Sequence, residues 1–439
     1  MGQTAADNKK YGLLGERLGH SYSPRIHARL HGFPYACYEI APGDVAAFLR
    51  ETDLDGINVT IPYKQTVLSS CTWLSETARR IGCVNTLVRC PDGWHGYNTD
   101  HYGFCAMLRQ AGIDPAGRRT LVLGDGGASR TVRTVLRDLG AAEITVMTRH
   151  SAGQDRGQDS GETRRQTTGH AAGVSFDTYD HLQAHRNAEI IINTTPVGMY
   201  PGNGEALLDP ADFPDCRGVG DLIYNPARSE LLLRAERAGI PFTGGLHMLV
   251  SQAARSAELW LGRKIPEQEI TNVREMLERE MQNIILIGMP GAGKTAVGKA
   301  LAEKTGRPFL DADEELEKRT GRTISEIFDA EGEEGFRRYE TGVLSELGRN
   351  SGCIIATGGG CVTRRENYPL LHQNGCIIWI RRDPAALPSD GRPLSRSRDL
   401  KEMYKERRPL YEEFADLSVL NDDSPAAAAD RIVTMMKLQ

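Results

Sequence analysis

The sequence predicts an α/β protein made of several domains with mainly parallel sheets. Short runs rich in β-branched residues alternate with helical patterns along the chain, and this alternation is typical of parallel strands joined by helices. With 439 residues, the chain is also longer than one ordinary domain. In two places a glycine-rich turn separates a strand-like run from a helix, an arrangement that commonly binds phosphate groups.

The composition is that of a globular protein, with 40% hydrophobic and 25% charged residues. A formal net charge of −5 provides no basic surface for nucleic acid. No run approaches the roughly 18 apolar residues of a membrane span, and the first residues lack the core of a signal peptide. The nine cysteines are dispersed without Cys-x-x-Cys spacing, which favours reduced thiols over disulfides or a zinc site. We therefore expect a cytoplasmic protein that binds neither membranes nor nucleic acid, while the oligomeric state stays open.

The order of the patterns divides the chain into three predicted α/β units and a connector. A stretch between His150 and Ser175, rich in Gly, Ser, Gln, Arg and His, has almost no apolar periodicity and predicts a long, mobile surface loop. An amphipathic helix is predicted over Leu246–Leu261, and a charged helix over Glu267–Met281 runs directly into the last unit. The predicted domains are residues 1–100 with 245–266, residues 101–244, a helical connector over 267–281, and residues 282–439.

The middle unit carries a dinucleotide-binding pattern. Arg119–Leu123 predicts a buried strand that ends in Gly124-Asp-Gly126-Gly127-Ala-Ser129, with a serine at the third glycine position. The next strand, Thr145–Thr148, ends beside Arg149, where an NAD enzyme would carry an acidic residue for the ribose hydroxyls. A guanidinium group at this tip suits a 2′-phosphate, so NADP(H) is favoured over NAD(H). The alternative is that Arg149 is a solvated charge at the end of a strand.

The last unit begins with a complete P-loop. The residues Gly288-Met-Pro-Gly-Ala-Gly-Lys294-Thr295 follow the strand-like run Asn283–Ile287 and precede a helical pattern over Ala296–Lys304. Lys294 is expected to reach the outer phosphates of ATP, and Thr295 to hold Mg²⁺. Backbone N–H groups are expected to surround the phosphates along the loop, at Gly288, Gly291, Ala292 and Gly293.

Two carboxylates follow the P-loop at a predicted strand end, Phe309-Leu-Asp311-Ala-Asp313. Next to bound ATP, Asp311 could reach Mg²⁺ through water, and Asp313 could orient an acceptor hydroxyl. The alternative is a helix N-terminus that carries acidic residues, which is favourable in any protein.

The N-terminal unit contains three segments rich in hydroxyl and amide groups. They are His20-Ser21-Tyr-Ser23-Pro24, Asn58-Val-Thr60-Ile-Pro62-Tyr-Lys64, and Val84-Asn85-Thr86 with Asn98-Thr99-Asp100. Each has an ordinary explanation, such as Ser23 as a helix N-cap before proline, or Lys64 and Asp100 as a surface pair. Together they suit a hydroxylated acid, with a lysine and a carboxylate that could pass a proton during hydride transfer.

Residues from about Tyr11 to Arg263 resemble the shikimate dehydrogenase family. The matching stretches are these three segments, Gly124-Asp-Gly-Gly-Ala, Asn193-Thr-Thr-Pro-Val-Gly-Met199, Asp221-Leu-Ile-Tyr-Asn-Pro226 and Met248-Leu-Val-Ser-Gln252. The sequence departs from the family after the second Rossmann strand, where it keeps only Arg149 of the usual Asn-Arg-Thr. A loop around Gln154–Thr168 replaces the family's next helix.

This resemblance implies a catalytic pair and two binding sites. It implies that Lys64 and Asp100 form the catalytic pair. It places the substrate's carboxylate and hydroxyls against Ser21, Ser23, Thr60, Asn85, Tyr224 and Gln252. It also implies an NADP site that includes Gly124, Gly126, Gly127, Ala128, Arg149 and Met199.

Residues from Asn283 to the C-terminus resemble shikimate kinase, through the P-loop and four later stretches. These are Gly335-Phe-Arg337-Arg-Tyr-Glu340, Ala356-Thr-Gly358-Gly-Gly360, Gly391-Arg392-Pro-Leu and Arg407-Arg-Pro-Leu-Tyr411. The resemblance implies that Asp313 contacts the acceptor hydroxyl, that Arg392 lies on a lid over the phosphoryl group, and that the acid is held by Arg337, Gly358, Gly359, Gly360 and Arg407. The arginine that commonly precedes the lid and packs on adenine is missing, and Arg396 or Arg398 could replace it.

Both resemblances together predict a bifunctional enzyme that uses NADP(H), ATP and Mg²⁺. It would reduce 3-dehydroshikimate to shikimate and then phosphorylate shikimate to shikimate 3-phosphate. Two alternatives stay open: the same folds with other substrates, such as quinate and gluconate, or a fusion in which one half only binds or assembles.

Overall fold

The computed structural model describes residues 9–19, 21–149, 173–387 and 400–438. The chain divides into two compact units. The first contains Met1–Val197, Ala206–Tyr224 and Arg234–Glu275, and the second contains Gly198–Glu205, Asn225–Leu233 and Met276–Gln439. The predicted loop between His150 and Ser175 lies outside the described residues up to residue 172, and its last three residues belong to a strand.

A mixed six-stranded sheet forms the N-terminal part of the first unit. Its strands are β1 (Tyr11–Gly15), β2 (Tyr35–Glu39), β3 (Gly56–Val59), β4 (Cys71–Leu74), β5 (Thr86–Cys90) and β6 (Gly93–Tyr97), in the order β2-β1-β3-β5-β6-β4. Four helices accompany them: α1 (Ser23–Leu30), α2 (Val45–Glu51), α3 (Glu76–Ile81) and α4 (Asp100–Gln110). Pairing in the sheets is mainly parallel, as predicted, and the exception is β5, which is antiparallel to both β3 and β6. Only residues 91 and 92 join β5 to β6, and a parallel crossover needs a much longer connection.

The second sheet of this unit has six parallel strands. They are β7 (Arg119–Leu123), β8 (Glu143–Thr148), β9 (Gly173–Thr178), β10 (Ile190–Asn193), β11 (Gly218–Asp221) and β12 (Phe242–Thr243), in the order β12-β11-β10-β7-β8-β9. The helices that follow these strands in sequence are α5 (Gly127–Asp138) and α6 (Glu230–Arg237), and residues 230–233 of α6 are counted with the second unit. The strand order reverses between β7 and β10, as in Rossmann domains, so the carboxyl end of β7 borders a ligand crevice.

Two helices follow β12 at their predicted bounds, α7 (Leu246–Leu261) and α8 (Glu267–Met281). Helix α7 packs against the N-terminal sheet, where the Trp260 ring stacks on Tyr11 with centroids 4.7 Å apart. The Trp260 indole also donates a hydrogen bond to the Leu87 carbonyl at 3.0 Å. Through α7, residues near position 250 reach a site built by the first hundred residues.

The second unit contains a five-stranded parallel sheet. Its strands are β13 (Asn283–Ile287), β14 (Phe309–Asp311), β15 (Ile354–Ala356), β16 (Gly375–Arg381) and β17 (Leu417–Leu420), in the order β14-β15-β13-β16-β17. The helices are α9 (Lys294–Thr305), α10 (Ala312–Thr320), α11 (Ile324–Leu347), α12 (Asn367–His372), α13 (Leu400–Phe414) and α14 (Pro425–Met436). The central strand β13 is buried along its length, which fits a parallel sheet covered on both faces.

Two short segments from the middle of the chain also belong to the second unit. In the first of them, the Asn203 side chain donates to Gln373 Oε1 at 2.7 Å. In the second, the Ala227 amide donates to Asn374 Oδ1 at 2.8 Å. Both acceptors lie in the turn between α12 and β16, so this turn holds both segments.

All nine cysteines lie among the described residues and are free thiols, as the sequence predicts. In the part of the chain that the structure describes, none of the helices has the length and apolar character needed to cross a membrane.

Candidate active sites

A cavity of about 490 Å³ in the first unit gathers the polar residues that the sequence selects in this region. Eight predicted residues line it: Ser21, Ser23, Thr60, Lys64, Asn85, Asp100, Tyr224 and Gln252. They come from six separate places in the sequence, so the fold brings the predicted substrate residues and the predicted catalytic pair together. His20 lies outside the described residues.

Lys64 and Asp100 form an ion pair in this cavity. Asp100 is the first residue of α4, and its Oδ2 atom lies 2.7 Å from Lys64 Nζ. Burial acts to lower the pKa of Lys64, but the charge and hydrogen bond of Asp100 outweigh it, so the pKa is raised above its usual value. Lys64 is therefore an ammonium group at neutral pH, partly withdrawn from solvent and able to donate a proton to a bound oxygen.

The two predicted serines lie at the start of α1. Ser23 is the first residue of the helix, and Tyr22 holds the N-cap position without a side-chain cap. The alternative that Ser23 acts as an N-cap is therefore wrong. The Ser23 amide donates to Ser21 Oγ at 3.2 Å, which fixes the turn that presents both hydroxyls.

Hydrogen bonds join Asn85 to Gln252 on α7. Asn85 Nδ2 donates to Thr99 Oγ1 at 3.0 Å and to Gln252 Oε1 at 3.4 Å. On another side of the cavity, burial raises the pKa of Tyr224, which keeps its hydroxyl protonated and able to donate. These groups offer both donors and acceptors, as a ligand with several hydroxyls requires.

The turn after β7 has the backbone that a pyrophosphate site requires. Gly124 has φ +94°, and a Cβ atom there would lie 2.6 Å from the Thr195 methyl group, so only glycine fits. Cβ atoms on Gly126 and Gly127 would meet nothing within 4 Å, so their backbone is open to an approaching ligand. The predicted third glycine position, Ser129, is fully buried, where a small side chain lets α5 pack closely.

The other predicted NADP residues are exposed. Ala128 lies in the first turn of α5, and Arg149 directly follows β8. Met199 belongs to the segment Gly198–Glu205 of the second unit, and its side chain is 46% exposed. Exposure leaves these three side chains accessible to a ligand.

In the P-loop of the second unit, the lysine side chain donates hydrogen bonds to the backbone of the same loop. Lys294 is buried, and its Nζ donates to the Gly288 and Met289 carbonyls at 2.9 and 3.1 Å. Helix α9 begins at Lys294, two residues before the predicted start, so its N-terminus faces the loop. Asn421, which follows β17, donates to the Ala292 carbonyl at 2.7 Å. Sequence reasoning missed Asn421, because more than a hundred residues separate it from the loop and no motif marks it.

The two predicted carboxylates sit beside the P-loop. Asp311 accepts a hydrogen bond from Thr295 Oγ1 at 2.8 Å and also caps α10 by accepting one from the Asp313 amide at 3.0 Å. The capping alternative and the metal role are therefore compatible at Asp311. The Thr295 hydroxyl and the Asp311 carboxylate are hard oxygen ligands of the kind that Mg²⁺ prefers, so these two residues fit the ion.

Arg337 and Glu340 form a buried pair on α11. Arg337 Nη1 lies 2.7 Å from Glu340 Oε2, and Arg337 Nη2 donates to Glu333 at 3.1 Å. Burial acts to lower the pKa of Arg337 and the carboxylates raise it, with a raised pKa as the net result. Burial also raises the pKa of Glu340, even though Arg337 opposes this shift. Glu340 thus holds the guanidinium in place and leaves part of it for another anion.

The glycines after β15 form the wall of this site. A Cβ atom on Gly358 would overlap Glu340 and lie 3.1 Å from Asp313 Oδ1, and one on Gly360 would overlap the Arg337 guanidinium. Arg407 on α13 is buried and donates to the Gly359 carbonyl at 3.1 Å. The structure therefore brings together Asp313, Arg337, Gly358, Gly359, Gly360 and Arg407. Arg392, Arg396 and Arg398 lie outside the described residues.

Family models match three parts of the chain. The shikimate dehydrogenase substrate binding domain matches residues 13–87, and the shikimate 5'-dehydrogenase C-terminal domain matches residues 245–273. Shikimate kinase matches residues 290–437.

Individual relatives match the dehydrogenase part. A shikimate dehydrogenase (NADP(+)) of Clostridium beijerinckii is 31% identical over 281 residues, which are 62% of this chain and 99% of the relative. One of Methanopyrus kandleri is 35% identical over 272 residues, 60% of this chain and 93% of the relative.

Two solved structures share this fold. A chorismate mutase/shikimate 5-dehydrogenase fusion protein from Clostridium acetobutylicum has a TM-score of 0.55 at 35% identity, covering 62% of this chain and 97% of its own. Shikimate 5-dehydrogenase from Thermus thermophilus, in complex with NADP(H) and shikimate, has a TM-score of 0.51 at 28% identity, covering 61% and 99%. This chain belongs to the shikimate dehydrogenase family and carries a shikimate kinase domain after it, which makes it a bifunctional enzyme of the shikimate pathway.

Proposed function

We propose that the chain catalyses two successive reactions, NADPH-dependent reduction of 3-dehydroshikimate and ATP-dependent phosphorylation of the resulting shikimate. The observation that carries this proposal is the gathering of eight predicted residues around one cavity, with the Lys64–Asp100 pair among them. The cluster of Asp313, Arg337 and Arg407 around Gly358–Gly360 supports the second reaction. We assign the substrate domain to 1–100 and 245–266, the NADP domain to 101–244, the connector to 267–281 and the kinase to 282–439.

In the first reaction, the chain binds a carboxylated ring and supplies a proton. NADPH, when bound, supplies the hydride to the ketone carbon. The Lys64 ammonium donates its proton to the oxygen that becomes the new hydroxyl, and Asp100 keeps Lys64 oriented and charged. The remaining lining residues, Ser21, Ser23, Thr60, Asn85, Tyr224 and Gln252, hold the carboxylate and the other hydroxyls.

The dinucleotide site is proposed along the carboxyl end of β7. The open backbone of Gly126 and Gly127 and the start of α5 suit the pyrophosphate. Arg149, exposed directly after β8, is our proposed partner of the 2′-phosphate, the group that distinguishes NADPH from NADH. Within this unit, Ala128 completes the proposed NADP contacts.

In the second reaction, transfer depends on positioning and on compensation of charge. Asp313 accepts a hydrogen bond from the attacking hydroxyl of shikimate, while Arg337 and Arg407 bind its carboxylate. Lys294 contacts the outer phosphates, and Arg392, to which the resemblance gives the role of compensating charge on the transferred group, lies outside the described residues. Mg²⁺, when bound, compensates phosphate charge, and Thr295 directly and Asp311 through water would hold it.

The nine free thiols support a cytoplasmic enzyme, and the net charge of −5 supports small-molecule partners over nucleic acid. Buried guanidinium groups in the kinase site favour a carboxylated acceptor, as shikimate is.

The deciding experiment gives the purified full chain 3-dehydroshikimate, NADPH and Mg-ATP and identifies the end product by mass spectrometry. We expect shikimate 3-phosphate, together with one NADPH oxidised for each phosphate transferred. Omission of ATP should stop the sequence at shikimate. Accumulation of shikimate in the presence of ATP would overturn the kinase assignment, and unreacted 3-dehydroshikimate would overturn the dehydrogenase assignment.

A further inference from the structure

A layer of buried polar side chains lies behind the dehydrogenase cavity. Asn58, Asn85, Thr86, Thr99 and Ser256 are each at most 5% exposed. They come from β3, β5, α7 and the segments that precede β5 and α4, so five parts of the first unit meet here. Polar groups at this depth cost free energy unless they are hydrogen bonded, so such a layer holds one arrangement in preference to others.

Ser256 is the centre of this layer. Its hydroxyl accepts from Asn58 Nδ2 at 2.9 Å and lies 2.8 Å from Thr86 Oγ1 and 3.1 Å from Thr99 Oγ1. It also donates to the Gln252 carbonyl at 3.0 Å, one helical turn earlier. A hydroxyl donates once and accepts twice, so with Gln252 and Asn58 bonded it can accept from only one of the two threonines at a time.

The layer fixes the side-chain amides of Asn85 and Gln252, which both line the cavity. Asn85 Oδ1 accepts from the Thr99 amide at 2.7 Å, and from Thr86 Oγ1 at 3.2 Å when the Thr86 proton is not donated to Ser256, so its carbonyl side is held from behind. Its Nδ2 is then directed at Thr99 Oγ1 and at Gln252 Oε1. Of the five side chains in the layer, only Asn58 and Asn85 line the cavity, so Ser256 acts on the ligand through others.

We propose that Ser256 is a positioning residue of the dehydrogenase, which sets the orientation of the Asn85 and Gln252 side chains toward the substrate hydroxyls. This inference rests on the proposed function of the same cavity. The sequence holds a weak signal for it, because Ser256 lies four residues after Gln252 and therefore on the same face of α7.

The test compares Ser256→Ala with Ser251→Ala in the full chain. Ser251 is a matched control, since it is 2% exposed on the same helix and has no hydrogen bond to this layer among the described residues. We expect Ser256→Ala to raise the KM for shikimate by about tenfold and to lower kcat less. The KM for NADP and the phosphorylation rate should stay unchanged, and Ser256→Thr, which keeps the hydroxyl, should restore the shikimate KM.

The positioning role would be overturned if the shikimate KM of Ser256→Ala stayed within twofold of that of the unchanged protein and only the melting temperature fell. If Ser256→Ala does not fold, Thr86→Val removes the link between Ser256 and Asn85 and must raise the same KM. An unchanged KM in that variant would equally overturn the proposal. Absence of shikimate oxidation in the unchanged protein would instead overturn the proposed function, so the two failures are distinguishable.

Discussion

At the scale of single residues, the space around Gly360 gives a sharp prediction for the kinase. A Cβ atom there would overlap the Arg337 guanidinium, which is buried and paired with Glu340 at 2.7 Å. Because the overlapped guanidinium is the end of a flexible side chain and can shift, Gly360→Ala should displace Arg337 from the proposed carboxylate site. We expect the KM for shikimate in phosphorylation to rise by at least about tenfold, with little change in the KM for ATP. Steady-state kinetics of phosphorylation measure this directly.

The control for this change is Gly342→Ala on the same helix as Arg337. A Cβ atom at Gly342 meets nothing within 4 Å, and alanine is the better helix former. Gly342→Ala should therefore leave the kinetics unchanged and the stability equal or slightly higher. Unchanged kinetics in Gly360→Ala would mean that Arg337 does not bind the acceptor at this wall.

The sequence predicts which residues lie together best where they belong to compact motifs. Lys64, Asn85 and Asp100 each lie in a short motif of the sequence, and all three line the same cavity. Ser256 and Asn421 were missed, because their importance depends on partners from distant segments. Only the tertiary fold brings Asn421 to the Ala292 carbonyl.

At the scale of elements, the packing of α1 predicts a loss of stability in acid. His27 on α1 is fully buried and stacks on Tyr35 with centroids 4.2 Å apart, and burial holds its pKa well below 6.5. Burial, assisted by the charge of Arg263, lowers the pKa of His31 from 6.5 to about 4. Both rings are neutral in the fold and gain protons first in the unfolded chain, so stability falls as the pH drops below about 6.5.

The pH dependence is measured by urea unfolding at pH 7 and pH 4.5, followed by fluorescence. For His31, the free energy of unfolding should fall by no more than about 3 kcal/mol between pH 6.5 and 4. His31→Gln should remove this part of the fall and leave the part due to His27. His181→Gln is the contrasting control, because a hydrogen bond to Asp177 raises the pKa of His181 and its loss should make the fall steeper. An identical pH dependence in His31→Gln and the unchanged protein would contradict the account.

The bounds of strands and helices were predicted most accurately where the apolar periodicity and the residues that end an element agree. Strands β7 and β13 and helices α7 and α8 begin and end at the predicted residues. The direction of β5 was missed, since a strand's own residues do not reveal its partner, and only the short connection to β6 implies an antiparallel pair. The same limit applies to β9, whose first three residues fell in a predicted loop.

At the scale of the whole molecule, the chain carries two complete sets of predicted catalytic groups. The dehydrogenase relatives cover about three fifths of the chain, and the shikimate kinase model covers residues 290–437. Lys64 with Asp100, and Lys294 with Asp313, are all present. A half that had become only a binding module would be free to lose such groups, so their presence favours two working enzymes.

The two active sites are expected to work independently of each other. Asp313→Asn keeps the shape of the side chain but removes the charge that orients the acceptor, so phosphorylation should fall at least about a hundredfold while reduction stays intact. Lys64→Met keeps an unbranched side chain of similar length and removes the ammonium that pairs with Asp100, so reduction should fall similarly while added shikimate is still phosphorylated. Each variant is the control for the other, since each keeps one normal activity.

An equimolar mixture of the two should again convert 3-dehydroshikimate to shikimate 3-phosphate, because the shikimate released by one variant can diffuse to the other. Loss of both activities through either single substitution would contradict two separate sites, and failure of the mixture alone would mean that shikimate does not leave the chain that makes it.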